Sequence, residues 1–176
     1  VVPEIRSGQA LKKIIIEDSK KGWADSVKTL MQNLYDGQNI YFDYSEIRPE
    51  GARLMTMGGR ASGPQPLVKL HDFIRETMHN AQGRQLTTLE AHDICNQIAE
   101  IVVVGGVRRS SQISLSDLKD KDMRHAKEWP YPIKRAMANN SAIYRDKPSA
   151  AEFLKEWAAL ALSGTGERGI FNLESA

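Results

Sequence analysis

The stretch that decides the fold is residues 12–43, KKIIIEDSKKGWADSVKTLMQNLYDGQNIYFD. Its β-branched run Lys12–Glu17 predicts a strand, and Asp18 and Ser19 are N-cap candidates just behind it. Apolar residues then recur at helical spacing until Gly37, which predicts the end of that helix. Ile40–Asp43 predicts a second strand. A strand–helix–strand order favours an α/β class with parallel pairing.

The same alternation continues along the chain. A helix is expected from about Pro66, because proline suits the first helical turn and four apolar residues follow on one face: Leu67, Leu70, Ile74 and Met78. Thr87 and Glu90 have capping-box spacing and predict another helix that runs to Val104. Its expected apolar face comprises Ile94, Cys95, Ile98, Ile101 and Val102.

The last third predicts two strands and a helix. Gln112–Ser116 alternates like a half-buried strand, and Asn140–Tyr144 is a further strand candidate. Ser149 and Glu152 form a second capping box, which predicts the start of a helix. Gly164 is the C-cap candidate at the end of that helix. The expected apolar face of that helix comprises Phe153, Leu154, Trp157, Leu160 and Ala161. An extended segment follows from Gly169.

Composition excludes several classes of protein. The chain has 176 residues, and its 24 Lys+Arg against 22 Asp+Glu give a net charge of +2, which does not favour nucleic-acid binding. The absence of a long apolar run or a signal-type N-terminus argues against a membrane span or secretion. One cysteine excludes an internal disulfide, and we expect a cytoplasmic protein. The spacing of the four histidines predicts no metal site.

Two patterns are interpreted structurally. Gly164–Gly169 matches G-x-G-x-x-G, but it follows a helix and precedes an extended segment, so a helix cap and turn is expected instead of a dinucleotide site. Cys95 is expected to be a small buried hydrophobe of its helix. A nucleophilic role would need a depressed pKa and a base, for which His92 is the nearby candidate.

Two glycine-rich loops carry arginines, and each adjoins a helix. The first spans residues 57–64 and contains Arg60, and the second spans 105–111 and contains Arg108 and Arg109. Exposed backbone N–H groups and guanidinium forks suit a polyphosphate. Two tight turns with solvated arginines are the structural alternative, and composition alone leaves both possibilities open.

Five stretches together resemble the large catalytic subunit of ribonucleotide reductase, in that family's order. The likeness is greatest to the adenosylcobalamin-dependent class II enzymes, particularly the monomeric type that reduces ribonucleoside triphosphates. The stretches are Ile16–Ser19, Phe42–Arg53, Gly58–Pro64, Gly105–Ser110 and Gly166–Asn172.

The resemblance implies a fold and sites. It implies that residues 1–176 are a single segment of a ten-stranded α/β barrel, within its first parallel half and with flanking helices. It implies that the first loop borders the ribonucleotide substrate, through Arg60, Ala61, Ser62, Gly63 and Pro64. It implies that a deoxynucleoside triphosphate (dNTP) effector is bound by Asp18 and Arg48 and by the second loop, through Gly105, Gly106, Val107, Arg108, Arg109 and Ser110. The two loops are expected to meet in space.

The resemblance also implies that the chemistry belongs to the parent protein. Family enzymes use a thiyl radical and a cysteine pair, which requires at least three thiols, whereas this chain has one cysteine. No catalytic residue is therefore assigned here. Adenosylcobalamin is expected to be bound outside this chain, and a thioredoxin-type protein is the expected reductant. Two alternatives stay open: a nucleotide-binding regulatory module without catalytic activity, and a purely structural α/β domain.

Overall fold

The computed structural model describes residues 1–6, 13–55, 59–104 and 111–175. Helices and strands alternate along them, as the sequence predicts. In chain order they are β1 Lys13–Ile15, α1 Lys20–Tyr35, β2 Tyr41–Asp43, α2 Gln65–Asn80, α3 Thr88–Val104, β3 Gln112–Asp117, α4 Lys121–Arg124, a 3-10 turn Ile133–Met137, β4 Ala138–Tyr144, α5 Ala150–Ser163, β5 Gly169–Asn172 and a 3-10 turn Leu173–Ser175. The described chain forms two compact units, and α3 supplies residues to both.

The first unit contains β1, α1, β2 and α2. Strands β1 and β2 pair in parallel, with Lys13 opposite Tyr41 and Ile15 opposite Asp43. This arrangement confirms the predicted strand–helix–strand unit. The side chain of Ser19 accepts a hydrogen bond from the Gly22 N–H at 2.9 Å and caps α1, as expected for a serine just before a helix.

An apolar core holds the first unit together. Pro66 lies in the first turn of α2, and the four apolar residues predicted for one face of that helix are all buried. They belong to a core that also includes residues of α1 and β2, namely Leu30, Leu34 and Phe42. Burial of such side chains contributes about 1.5–3 kcal/mol each, so this face fixes α2 in place.

A buried chain of polar side chains links α1, β2 and α2. Ser26 Oγ donates to the Trp23 carbonyl at 2.7 Å and lies 3.1 Å from His71 Nε2. The hydroxyl of Tyr44 lies 2.8 Å from His71 Nδ1. Because Ser26 has already donated its proton, it accepts from Nε2–H, and Nδ1 accepts from Tyr44. His71 is therefore neutral, and burial lowers its pKa to about 3.

A hairpin leads from β2 to α2. Arg53 and Arg60 form an antiparallel bridge, and further backbone bonds join Gly51 N–H to Ala61 O at 2.9 Å and Ala61 N–H to Ala52 O at 2.8 Å. Gly63 has φ +70°, and a Cβ there would lie 2.9 Å from the Glu50 nitrogen. Only glycine meets both conditions without strain.

The second unit is built on a parallel sheet of order β3-β4-β5. The predicted half-buried strand at Gln112–Ser116 is confirmed, and its inward face is the polar one. Its polar residue Ser116 is buried, whereas Ile113 is 69% exposed and Leu115 is 41% exposed. The inward face is polar because α3 offers polar partners there: Ser114 Oγ lies 3.0 Å from His92 Nδ1, and Gln112 donates to Asn96 Oδ1 at 2.5 Å.

The apolar faces expected for α3 and α5 need correction. His92, Ile94, Asn96 and Ala99 are the buried residues of α3 within the second unit, and Cys95 is exposed rather than buried. Every residue of α5 is described, and Glu156 alone among them is fully buried. Of the face expected to pack, Phe153, Leu154 and Trp157 are exposed; Leu160 is partly buried, and Ala161 is exposed.

The inward side of α5 is selected by ion pairs. Glu156 accepts from Arg124 Nε at 2.5 Å and from Arg168 Nη2 at 3.1 Å. Arg168 also donates to Ser116 Oγ at 2.9 Å and to the Leu118 carbonyl at 2.6 Å, at the end of β3. A buried carboxylate is tolerated only when it is paired, so these bonds determine which face of α5 lies inward.

The remaining expectations for chain turns are confirmed. Gly164 ends α5 with φ +67°, and Gly164–Gly169 leads from α5 into β5, so this motif is a cap and turn. Reciprocal bonds between Thr87 and Glu90 form the predicted capping box. Among the helices in the described residues, none combines the length and apolarity needed to cross a membrane.

We expect acidification to destabilise the chain through His71. The pKa of His71 is about 3 in the folded state and about 6.5 when unfolded, so the unfolded state binds more protons between these values. The stabilisation is complete above pH 6.5 and is lost as the pH falls, by up to about 1.4 kcal/mol per pH unit. Urea unfolding from pH 7 to pH 4 measures this loss, with His71→Gln as the non-titrating control. Parallel curves for the two proteins would show that His71 is not responsible.

Gly63→Ala should destabilise the hairpin more than the same change at Gly83. Both glycines have positive φ, +70° and +78°, so both variants carry backbone strain of about 1–3 kcal/mol. At Gly83 a Cβ meets nothing within 4 Å, whereas at Gly63 it meets the Glu50 backbone. Each variant's loss of unfolding free energy is measured in urea. The loss in Gly63→Ala minus the loss in Gly83→Ala therefore reports the cost of the close approach between residue 63 and the Glu50 backbone. Equal losses would contradict the packing described for Gly63.

Candidate functional site

Two residues that the resemblance assigns to one ligand lie together in the first unit. Asp18 follows β1, and Arg48 follows β2, so both lie beyond the carboxyl ends of parallel strands. Arg48 Nε donates to Asp18 Oδ2 at 2.5 Å. Their side chains are 28% and 39% exposed, so solvent and a ligand can reach both. In open α/β sheets, ligands bind at this end of the strands.

A second ion pair joins the first residue of β1 to the last residue of β2. Lys13 of β1 lies 2.8 Å from Asp43 of β2. The hydrogen bond from Lys13 is the main reason that the pKa of Asp43 falls to about 2, and the Ser45 N–H adds to the effect. Asp43 is therefore ionised at neutral pH and fixes the turn that begins at Ser45. That turn leads directly to Arg48.

The residues predicted to border the substrate form one side of the hairpin. Ala61 lies in its backbone ladder, and Pro64 precedes the first residue of α2. Ser62 Oγ donates weakly to the Gly63 carbonyl at 3.4 Å. Arg60 Nη1 donates to the Gly51 carbonyl at 3.0 Å, so this guanidinium contacts the hairpin's other side. Backbone bonds thus join the predicted substrate segment to the turn that follows Arg48.

The second glycine-rich loop lies outside the described residues. This applies to Gly105, Gly106, Val107, Arg108, Arg109 and Ser110, and also to Gly58 of the first loop. The expected meeting of the two loops, and the effector contacts of the second, therefore stay predictions. What the structure brings together is Asp18, Arg48 and the segment 59–64.

The second unit contains a polar cluster that sequence reasoning missed. Its members pack so closely that no space for a water molecule remains between them: Met123, Arg124, Lys127, Glu128, Asn140, Ser163, Glu167 and Arg168. Lys127 lies 2.8 Å from Glu167, which also accepts from the Asn140 N–H at 2.9 Å. These charges are paired with one another, so the cluster holds strands and helices together. A glutamate at position 156, among apolar residues of α5, was the available signal.

Neither His92 nor Cys95 forms a nucleophilic site. Both ring nitrogens of His92 have partners, because Nε2 lies 2.9 Å from Asn96 Nδ2 and Nδ1 contacts Ser114. Burial lowers the pKa of His92, so the ring is neutral at pH 7. Cys95 is exposed on α3. Because both nitrogens of His92, its candidate base, are bonded to other side chains, the Cys95–His92 pairing that nucleophilic catalysis would require is not formed.

The described residues do not fit adenosylcobalamin. A corrin needs a wide cavity and, where the protein ligates the cobalt, an imidazole nitrogen with a free lone pair. The buried histidines, His71 and His92, have both ring nitrogens hydrogen-bonded, and the space among the side chains around Lys127 does not admit a water molecule. The larger depression, of about 520 Å³ at the end of α1, is open and is lined by residues without an imidazole: Met31, Gln32, Asn33, Tyr35 and Asp36. Across the ranges that the structure describes, no three His, Cys, Asp or Glu side chains could hold a metal ion together. No reaction step is derived through the cofactor.

Comparison with known proteins agrees with the resemblance. Residues 8–78 match the family described as B12-dependent ribonucleotide reductase, insertion domain. This range contains Asp18, Arg48 and the whole hairpin. We expected these residues to belong to the first half of the barrel. The description of the matched family assigns them to an insertion domain instead.

Curated relatives match most of the chain. An adenosylcobalamin-dependent ribonucleoside-triphosphate reductase of Euglena gracilis is 33% identical over 147 residues, which are 81% of this chain and 20% of the relative. The protein of the same name from Lactobacillus delbrueckii subsp. bulgaricus is 34% identical over 167 residues, covering 90% of this chain and 22% of the relative. This chain therefore spans about a fifth of the length of these relatives.

The fold is similar as well. A crystal structure of a B12-dependent (class II) ribonucleotide reductase superposes with a TM-score of 0.78 and 28% identity, over 97% of this chain and 24% of that one. By sequence and by fold, this chain is similar to a segment of class II ribonucleotide reductases that makes up about a fifth of their length.

Proposed function

We propose that this chain is part of an adenosylcobalamin-dependent reductase that converts ribonucleotides to 2′-deoxyribonucleotides. Within that enzyme it binds a dNTP effector through Asp18, Arg48 and the loop 105–110, and it lines the substrate site with residues 60–64. The names of the relatives and the match to a class II structure support the reaction class. The effector and substrate contacts come from the family resemblance of particular residues.

One observation carries the effector proposal. Asp18 and Arg48 are 30 residues apart in sequence, yet they meet beyond the carboxyl ends of β1 and β2. A carboxylate accepts hydrogen bonds from ribose hydroxyls, and a guanidinium binds phosphate oxygens. An acidic and a basic group side by side, both partly exposed, are the complementary pair that a nucleoside triphosphate requires.

The outward apolar residues of the second unit support a larger parent protein. Parallel sheets are normally covered on both faces, yet Ile113 and Leu115 of β3 are exposed. Trp157, which stacks on Phe153 at 6.4 Å, is 53% exposed on α5. The matched structure has three-quarters of its chain beyond the superposed part. We propose that such additional chain covers these surfaces, as part of a ten-stranded α/β barrel.

The chemistry is divided between this segment and the remainder of the enzyme. Thiyl-radical reduction needs several thiols, and this chain offers one exposed cysteine. We assign it binding of effector and substrate, and we assign adenosylcobalamin, the catalytic cysteines and the thioredoxin-type reductant to other parts of the parent protein. When bound there, the cofactor supplies the radical.

The single cysteine also favours a second candidate, a nucleotide-binding regulatory module without catalysis. The two candidates make opposite predictions for the protein that contains this segment. Reduction of ribonucleoside triphosphates in the presence of adenosylcobalamin and a dithiol supports the reductase. Saturable dNTP binding without any reduction supports the regulatory module.

Arg48→Ala should weaken dNTP binding about tenfold or more, because it removes a charge-assisted bond to phosphate worth about 1.5–3 kcal/mol. Isothermal titration calorimetry with dATP, dGTP, dCTP and dTTP measures the change. Arg53→Ala is the matched control, since it removes an exposed arginine of the same hairpin. Circular dichroism verifies that both variants fold. If none of the four nucleotides binds the unmodified chain, or if Arg48→Ala binds them unchanged, the effector assignment is wrong.

A further inference from the structure

We propose that Arg60 is a positioning residue, through which an anionic ligand at Arg48 controls the conformation of residues 61–64. This inference rests on the proposed function, in which Arg48 meets effector phosphates and residues 60–64 face the substrate. It differs from the direct substrate contact that the resemblance implies for Arg60. It also gives the segment a connection between the two sites that does not pass through the loop 105–110.

The first step of the connection is the ion pair at Asp18. Arg48 Nε is bonded to Asp18 Oδ2 at 2.5 Å, and the carboxylate belongs to the segment that joins β1 to α1. A triphosphate competes with Asp18 for the guanidinium, because both are anions that accept from the same N–H groups. Binding therefore changes the partner of Arg48 and the position of the adjoining turn at Pro49 and Glu50. Such differential contact is what a ligand needs in order to shift a conformational equilibrium.

The second step is the double attachment of Gly51. Its N–H donates to the Ala61 carbonyl at 2.9 Å, and its carbonyl accepts from Arg60 Nη1 at 3.0 Å. Gly51 has φ +84°, and a Cβ there would meet no atom within 4 Å, so packing does not hold this residue. Hydrogen bonds to the opposite side of the hairpin hold it instead. Arg60 supplies the one among them that comes from a side chain.

The third step is the close packing at the far end of the hairpin. Gly63 packs closely against the Glu50 backbone, since a Cβ placed on Gly63 would lie 2.9 Å from the Glu50 nitrogen. Pro64 then begins the first turn of α2, where its carbonyl accepts from Leu67 N–H at 3.0 Å. Helix α2 is fixed by the buried core and by His71. A displacement at Glu50 and Gly51 must therefore be taken up by residues 61–63.

The bond from Arg60 differs from the other hairpin bonds named here because it comes from a side chain and can be tested by mutation. The backbone bonds of Ala61 survive any side-chain change, whereas the bond from Arg60 to Gly51 can be removed and restored. Arg60→Met keeps the aliphatic length and removes the donor, and Arg60→Lys restores a cationic donor. Arg53→Met is the matched control, because Arg53 is the residue bridged to Arg60 and its side chain is exposed.

Hydrogen–deuterium exchange with and without a saturating dNTP, using dATP, dGTP, dCTP and dTTP in turn, tests the proposal. In the unmodified chain the nucleotide should slow exchange in both segments 48–54 and 59–64, by about fivefold or more in the second. In Arg60→Met the slowing at 48–54 should persist, and that at 59–64 should fall below about twofold. Arg60→Lys and Arg53→Met should behave like the unmodified chain. Calorimetric dNTP affinity should stay within about twofold in all variants, since Arg60 contacts the hairpin and not the ligand.

Each outcome has a distinct meaning. Protection of 59–64 that survives in Arg60→Met overturns the role of Arg60. Protection confined to 48–54 in the unmodified chain overturns the connection while leaving effector binding intact. Loss of protection in Arg60→Met that Arg60→Lys does not restore, or that Arg53→Met shares, reduces Arg60 to general hairpin stability and also overturns the proposal. If neither segment responds to any dNTP, the proposed effector function itself is contradicted.

Discussion

The hydrogen bond between Arg48 and Asp18 joins the end of β1 to the hairpin that follows β2, and the candidate site depends on it. Without it, the turn at Pro49 would be attached only to its own hairpin. With it, the carboxyl ends of both parallel strands, the start of α1 and the segment 59–64 share one hydrogen-bonded network. The bond is partly solvent-exposed, so it contributes little to stability and can be exchanged for a bond to a ligand. A weak structural contact is thus well suited to a regulated site.

The surrounding core gives this exchangeable bond a rigid setting. Helix α2 buries four apolar residues and carries His71, whose two nitrogens bind Ser26 of α1 and Tyr44 after β2. This buried chain of bonds fixes α1, β2 and α2 relative to one another, since an unmet polar group there would cost about 1–3 kcal/mol. The hairpin emerges between β2 and α2. In the proposed connection, movement at Arg48 changes the hairpin while the elements that bear it stay fixed.

Local sequence signals predicted the order of the elements well, because caps, turns and β-branched runs act within a few residues. Ser19, Gly37, the Thr87–Glu90 box and Gly164 all end or begin helices where expected. Burial was predicted correctly for α2, where apolar residues alone choose the inward face. The assignment of Asp18 and Arg48 to one ligand came only from family resemblance, and their direct contact was not predicted, since no local pattern relates two residues 30 positions apart. The hydrogen bond of Arg60 to Gly51 had no sequence signal at all.

In the second unit, the inward face of α5 was mispredicted and that of β3 was left open, for a common physical reason. Amphipathic spacing shows that a helix or strand has two unlike faces, but it does not show which face meets its neighbour. In β3 and α5 that choice is made by polar groups, because His92, Asn96 and Glu156 must find partners once they are buried. Arg168 satisfies Glu156 and the end of β3 together, and the apolar residues of both elements then face outward. Their outward position is intelligible in a segment whose relatives are about four times as long, where further chain is available to cover them. Polar pairing inside the unit and apolar contact outside it are two consequences of the same arrangement.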